Sequence, residues 1–170
     1  MSDYLLEPIA ADELALLASG RMPPRLHGLA SRDALPPAFV ARRALQWLAD
    51  GVAPPWAATY YIRDADARVL GGCGFKGPPR HGEVEIGYAV AAAHRRRGVA
   101  SAAARQLIVI AFASAQVQRV LACIDERNLA SARLAQGLGF VAGERRQDPD
   151  DGAWRVHWRL PRAAAPRRAV

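Results

Sequence analysis

Between residues 83 and 124 the spacing of apolar residues changes period twice, and this limits the folds open to the chain. Glu83–Val90 (EVEIGYAV) alternates and predicts a strand. Arg97–Ala115 is long and apolar, with Ala103, Ala104, Leu107, Ile108 and Ala111 on overlapping faces, which predicts a well-buried helix. Arg119–Ile124 (RVLACI) is a short apolar run that predicts an inner strand. Strand, helix and strand in this order form a parallel pair with a right-handed crossover. The other segments fit around that unit. Tyr4–Ile9 predicts a short strand, Ala11–Ser19 a helix ended by Gly20, and Pro37–Asp50 an amphipathic helix stopped by Gly51. The four prolines of Arg21–Pro37 predict an irregular connection. Ala57–Arg63, Arg68–Phe75 and Glu83–Val90 predict an antiparallel meander, and the glycines of RVLGGCGF predict a bulge or a close backbone approach. Leu129–Leu138 predicts a helix capped by Asn128, with Gly139 past its end. Phe140–Arg146 and Ala153–Leu160 predict strands joined by the polar loop Gln147–Gly152. The expected class is α/β, a mixed, twisted sheet of six to seven strands with flanking helices. Residues 1–160 are expected as one domain and 161–170 as a basic, disordered tail.

Composition narrows the function. The 170 residues carry a net charge of +7, and all but one of the basic side chains are arginine, Lys76 being the exception. Residues 1–80 contribute +1 and residues 81–170 contribute +6. Such a skew marks either an anion site or a solvated basic surface, and a nucleic-acid-binding domain is one function it allows. The arginines gather at one junction and in the tail, without an aromatic stripe or a helix-turn-helix pattern, so no nucleic acid is expected. No apolar run approaches the ~18–20 residues of a membrane span. The start Met1-Ser2-Asp3-Tyr4 lacks the layout of a signal peptide. Cys73 and Cys123 lie far apart with no metal-ligand spacing. The expectation is a cytoplasmic protein with reduced, buried thiols, no metal and no membrane contact.

The junction between the strand ending at Val90 and the helix starting near Arg97 reads Ala93-His94-Arg95-Arg96-Arg97-Gly98-Val99-Ala100-Ser101. A helix start offers unpaired N–H groups and a partial positive charge. Gly98 lets the backbone approach a ligand, Ala100 is small, and Ser101 adds a hydroxyl. Three arginines beside a helix start oppose its dipole unless an anion is present. The segment is therefore a candidate pyrophosphate cradle. A solvated basic turn is the alternative.

Arg95-x-x-Gly98-x-Ala100 resembles the acyl-CoA signature of the GNAT superfamily of N-acetyltransferases. Asn128-Leu129-Ala130-Ser131 followed by Gly139-Phe140, and Glu85-Ile86-Gly87-Tyr88, resemble two further segments of that family. The second of these is similar to the RimJ/RimL-like branch that acetylates ribosomal-protein N-termini. The resemblance implies a fold whose two central parallel strands, Glu83–Val90 and Arg119–Ile124, splay apart to admit pantetheine. It implies acetyl-CoA as cosubstrate, with backbone pairing to the pantetheine from Tyr88, Ala89 and Val90. The pyrophosphate would rest on Arg95, Arg96, Arg97, Gly98, Val99, Ala100 and Ser101, and Asn128 and Ser131 would flank the arm. It also implies direct transfer to a primary amine, either a small molecule or a protein N-terminus; a monomer or a homodimer is expected.

Glu85 is the candidate general base, with Glu83 in reserve on the same face; the alternative is a structural carboxylate paired with an arginine. Many members of the family carry a tyrosine seven residues after the asparagine, as acid for the leaving thiolate. Here that position is Ala135. Ser131, a water, Tyr88, Tyr60 or Tyr61 would have to serve, and no general acid is assigned. A CoA-binding regulatory domain without turnover is thus an alternative function. His94 is a minor phosphate candidate, and Trp47, Trp56, Trp154 and Trp158 are candidate acceptor walls or core residues. The acidic island Asp148, Asp150 and Asp151 is either a solvated turn or a lure for a cationic acceptor.

Overall fold

The computed structural model describes residues 4–149 and 151–164. In chain order the elements are β1 (Leu5–Pro8), α1 (Ala11–Ala18), α2 (Ala38–Ala49), β2 (Thr59–Arg63), β3 (Val69–Phe75), β4 (Glu83–Val90), α3 (Val99–Ala113), β5 (Arg119–Asp125), α4 (Leu129–Gly137), β6 (Val141–Gln147) and β7 (Trp154–Pro161). The class is the mixed α/β expected, at the seven-strand end of the range. The connection 21–37 is irregular, with short 3-10 turns at Pro24–Leu26 and Arg32–Ala34. α3 starts two residues later than the apolar pattern predicts. Gly98 at φ +77° and Arg96 at φ +60° stand in left-handed space and keep the chain out of the helix until Val99.

Two compact units divide the chain, and β4 and α3 contribute to both. The first comprises residues 1–78 and 87–107. Its strands lie in the order β1-β2-β3-β4, with β1–β2 and β2–β3 antiparallel. Leu14, Leu17, Leu26, Tyr61, Val69 and Ala91 build its core, and the small Ala41 and Ala44 of α2 are buried there too. A charged cluster ties β1 to α1 and β2. Arg25 bridges Glu7 (2.6 Å) and Glu13 (2.5 Å), and Arg63 pairs with Glu7.

The second unit comprises residues 79–86 and 108–170 and holds the order β4-β5-β7-β6. β4 and β5 are parallel, with Glu83 opposite Arg119 and Glu85 opposite Leu121. β5 pairs with β7, and β7 with β6, antiparallel. Val120, Leu121, Ala122 and Ile124 of β5 are buried, as an inner strand requires. Arg159 of β7 joins Glu83 of β4 (2.8 Å) to Glu144 of β6 (2.6 Å). The segment expected as a tail starts in order: Arg162–Ala164 form a 3-10 turn. There Arg162 donates to the carbonyls of Phe112 (2.7 Å), Ser114 (2.6 Å) and Val117, closing the C-terminal end of α3. Residues 165–170 lie outside the described residues.

Candidate functional site

The segment from Tyr88 to Ser101 lies within the first unit, so the structure brings most of the expected site residues together there. Tyr88, Ala89 and Val90 end β4, with Ala89 exposed and its neighbours half-buried. The chain then leaves the strand through a 3-10 turn at Ala92–His94, with His94 half-buried. Two hydrogen bonds anchor that turn. Ala91 N–H donates to the Leu70 carbonyl of β3 (2.9 Å), and Ala92 N–H donates to Asp33 Oδ2 (2.9 Å). Ser31 Oγ donates to the other carboxylate oxygen of Asp33 (2.6 Å). Those two hydrogen bonds, from Ser31 and then Ala92, hold the Asp33 carboxyl below its ordinary range, with nearby Arg95 adding to the effect.

From Arg95 the backbone takes the shape of an anion nest. Left-handed φ at Arg96 and Gly98 alternates around Arg97, a geometry that turns successive N–H groups to one side. The Gly98 carbonyl accepts the Ala102 N–H (2.9 Å), so Gly98 caps α3 and the N–H groups of Val99, Ala100 and Ser101 have no partner within the helix. Gly98 has φ +77°, and a Cβ on it would meet no protein atom within 4 Å, so within the protein its positive φ is what calls for glycine. Arg95 folds back, its Nε donating to the Val90 carbonyl (3.1 Å), while Arg96 and Arg97 stand exposed. Left-handed φ on either side of Arg97, a helix start and exposed guanidinium groups suit a diphosphate.

The base candidates and the two residues expected to flank the pantetheine arm, Asn128 and Ser131, belong to the second unit. Glu85 is half-buried in the middle of β4. Glu83, the reserve base, is held by Arg159 (2.8 Å) and Arg119 (3.4 Å), a structural pairing. Asn128 Oδ1 accepts the Ser131 N–H (3.1 Å) and caps α4 as expected. Ala135 is 1% exposed, fully inside its unit. Tyr60 and Tyr61 of the first unit are buried, which raises both phenols above their ordinary value. In the acidic island, Arg155 pairs with Asp148 and with Asp151 (2.6 Å). Asp150 lies outside the described residues. Trp154 stacks under Arg145, whose guanidinium carbon is 4.2 Å from the ring centre. In the first unit Trp56 meets Phe75 edge-on at 5.0 Å. Cys73 is buried, and burial pushes its thiol up.

Two residues that shape this loop escaped the sequence reading. Asp33 has no local signature, because its partner lies 59 residues away. Gly71 does have a trace in the glycines of β3. A Cβ there would stand 2.1 Å from the Ala89 carbonyl oxygen and 3.0 Å from Val90 Cα, so its absence lets β3 press against the end of β4.

A family model described as an acetyltransferase (GNAT) domain matches residues 5–141. The chain belongs to the GNAT acetyltransferase family. An uncharacterized N-acetyltransferase of Bacillus subtilis strain 168, YjdG, is 36% identical over 81 residues, which are 47% of this chain and 48% of that protein. The match thus spans about half the length of that curated relative. Among solved structures, a GNAT-family acetyltransferase from Bordetella pertussis is 28% identical, with a TM-score of 0.64 over 94% of this chain and 96% of the other. The ribosomal-protein-S5-alanine acetyltransferase from Vibrio fischeri has a TM-score of 0.68 over 98% of this chain and 97% of its own, at 15% identity, which is a likeness of fold. No helix among the described residues is long and apolar enough to cross a membrane.

Proposed function

We propose that this GNAT chain is an acetyl-CoA-dependent N-acetyltransferase that acts on a primary amine by direct attack in a ternary complex. The observation that carries this reading is the left-handed pair Arg96 and Gly98 leading into the start of α3, a donor set shaped for a diphosphate. Acetyl-CoA supplies the activated thioester. The amides of residues 96–101 bind its diphosphate, and the guanidinium groups of Arg95, Arg96 and Arg97 add positive charge. The backbone of Tyr88, Ala89 and Val90 aligns the pantetheine arm as an added strand would, with Asn128 and Ser131 contributing by the family resemblance. One N–H of the β4 end faces the thioester oxygen, and a preorganised donor of that kind is worth ~3 kcal/mol in the transition state.

Glu85 takes the proton of the acceptor ammonium, directly or through water. Amines with pKa values near ~8–10 are mostly protonated at neutral pH, so attack needs such a base. Burial removes Tyr60 and Tyr61 as acids for the leaving thiolate, and Ala135 offers no proton. Tyr88, Ser131 or water remains for that step. A thiol pKa of ~8.5 makes the acid helpful rather than required. The acceptor reading leans to a protein N-terminus on the Glu85–Tyr88 segment, with small-molecule amines as the other class.

The test is acetyl-CoA-dependent thiol release over a panel of N-terminal peptides and small amines. Release with at least one amine is expected, and Glu85→Gln should lower kcat by about 100-fold. CoA binding with no release from any amine would favour the regulatory-domain reading, which the buried Ala135 motivates. Turnover of Glu85→Gln near wild type from about pH 6 to about pH 9 would remove the base assignment.

A further inference from the structure

We infer that Tyr4 is a positioning residue for the diphosphate cradle: its hydroxyl sets the orientation of the Arg97–Gly98 peptide. This rests on the acetyl-CoA reading above. Tyr4 Oη donates to the Arg97 carbonyl oxygen at 3.0 Å, across 93 residues of sequence. In a trans peptide the carbonyl and the following N–H point to opposite sides. Holding the Arg97 carbonyl toward Tyr4 therefore holds the Gly98 N–H away from Tyr4, among the amides of the nest. Gly98 does not secure this orientation by itself. Glycine passes between backbone regions at little steric expense, and no atom crowds the position of its Cβ. If the peptide turned over, the nest would lose a donor and gain a carbonyl dipole that repels phosphate.

Tyr4 is itself held. Its own carbonyl accepts a hydrogen bond from Gln106 Nε2 of α3 (3.0 Å), and the next residue begins β1, which pairs with β2. The tie thus runs from α3 through Tyr4 to the loop that starts α3. At the other end of the loop, Asp33 holds the Ala92 N–H (2.9 Å). Arg96 lies between these two external anchors and Gly98 directly follows the second, so the nest is shaped before a ligand arrives.

The experiment compares Tyr4→Phe with wild type, measuring Kd for CoA by calorimetry and for pantetheine, which lacks the diphosphate, by competition. The variant keeps the ring and loses only the hydroxyl. CoA binding is expected to weaken about tenfold, the scale of one hydrogen bond to a charged group, with pantetheine binding unchanged. Gln106→Leu, which releases the Tyr4 backbone, should show the same split at smaller size. Equal weakening of both ligands would mean a general loss of structure and would overturn the inference, as would an unchanged Kd for CoA in Tyr4→Phe. Failure of the wild type to bind CoA is a separate result and would overturn the reading on which the inference rests.

Discussion

Gly71 shows how one missing atom can place a site. Its Cβ would stand 2.1 Å from the Ala89 oxygen, and because the obstacle is backbone, no side chain can swing away. Gly71→Ala must therefore displace the end of β4, where the pantetheine arm is proposed to pair. We expect a stability loss of about 2 kcal/mol in urea unfolding and a raised KM for acetyl-CoA. Gly137→Ala is the contrasting case. Nothing lies within 4 Å of its Cβ position near the end of α4, and stability should hold or rise by about 0.5 kcal/mol. Equal stability losses in the two variants would contradict this account. The sequence of β3 announces a close approach but does not say which of its glycines makes it, because only the register against β4 decides that. Tyr4 and Asp33 leave no trace at all in the local pattern. Their partners are 93 and 59 residues distant, and periodicity carries no information over such separations.

At the scale of the elements, Arg159 joins three strands of the second unit by reaching Glu83 of β4 and Glu144 of β6 from β7. The hydrogen bond from Arg159, helped by a backbone donor, pulls the Glu144 carboxyl down to about 2 from an ordinary value of 4.5. A carboxylate depressed in the folded state adds stability that is fully present above its unfolded pKa and disappears as pH falls through the folded one. Arg159→Leu should therefore lower stability most above about pH 4.5, and its difference from wild type should shrink between there and about pH 2. Urea unfolding at several pH values checks this, and a difference independent of pH would refute it. The elements themselves were legible because their signals are local. The period change at 83–124, Gly51 after α2 and Asn128 before α4 all mark boundaries within a few residues of those observed. The start of α3 was misplaced by two residues, since apolar spacing cannot register the left-handed turn at Arg96 and Gly98 that delays the helix.

For the whole molecule, the excess of positive charge in residues 81–170 now has a physical distribution. Arg127, Arg145, Arg155 and Arg159 are engaged with carboxylates, and Arg162 closes the end of α3. Arg96 and Arg97 stand exposed at the proposed cradle, where the diphosphate of CoA would give them a role. Charge alone could not separate these uses, because a paired arginine and a ligand-seeking one look identical in a sequence. The candidate site was legible where backbone geometry follows from glycine and helix signals, as at Gly98. It was less so where a carboxylate's role depends on its neighbours in the sheet, as the capture of Glu83 by Arg159 shows. The central claim is that the amides from Arg96 to Ser101 receive the diphosphate of CoA. Titrating the 15N-labelled protein with CoA tests it most directly. The account predicts that the amide resonances of residues 96–101 shift together and saturate with ligand, Gly98 among them. Saturable CoA binding that leaves those amides unmoved, or no binding at all, would contradict it.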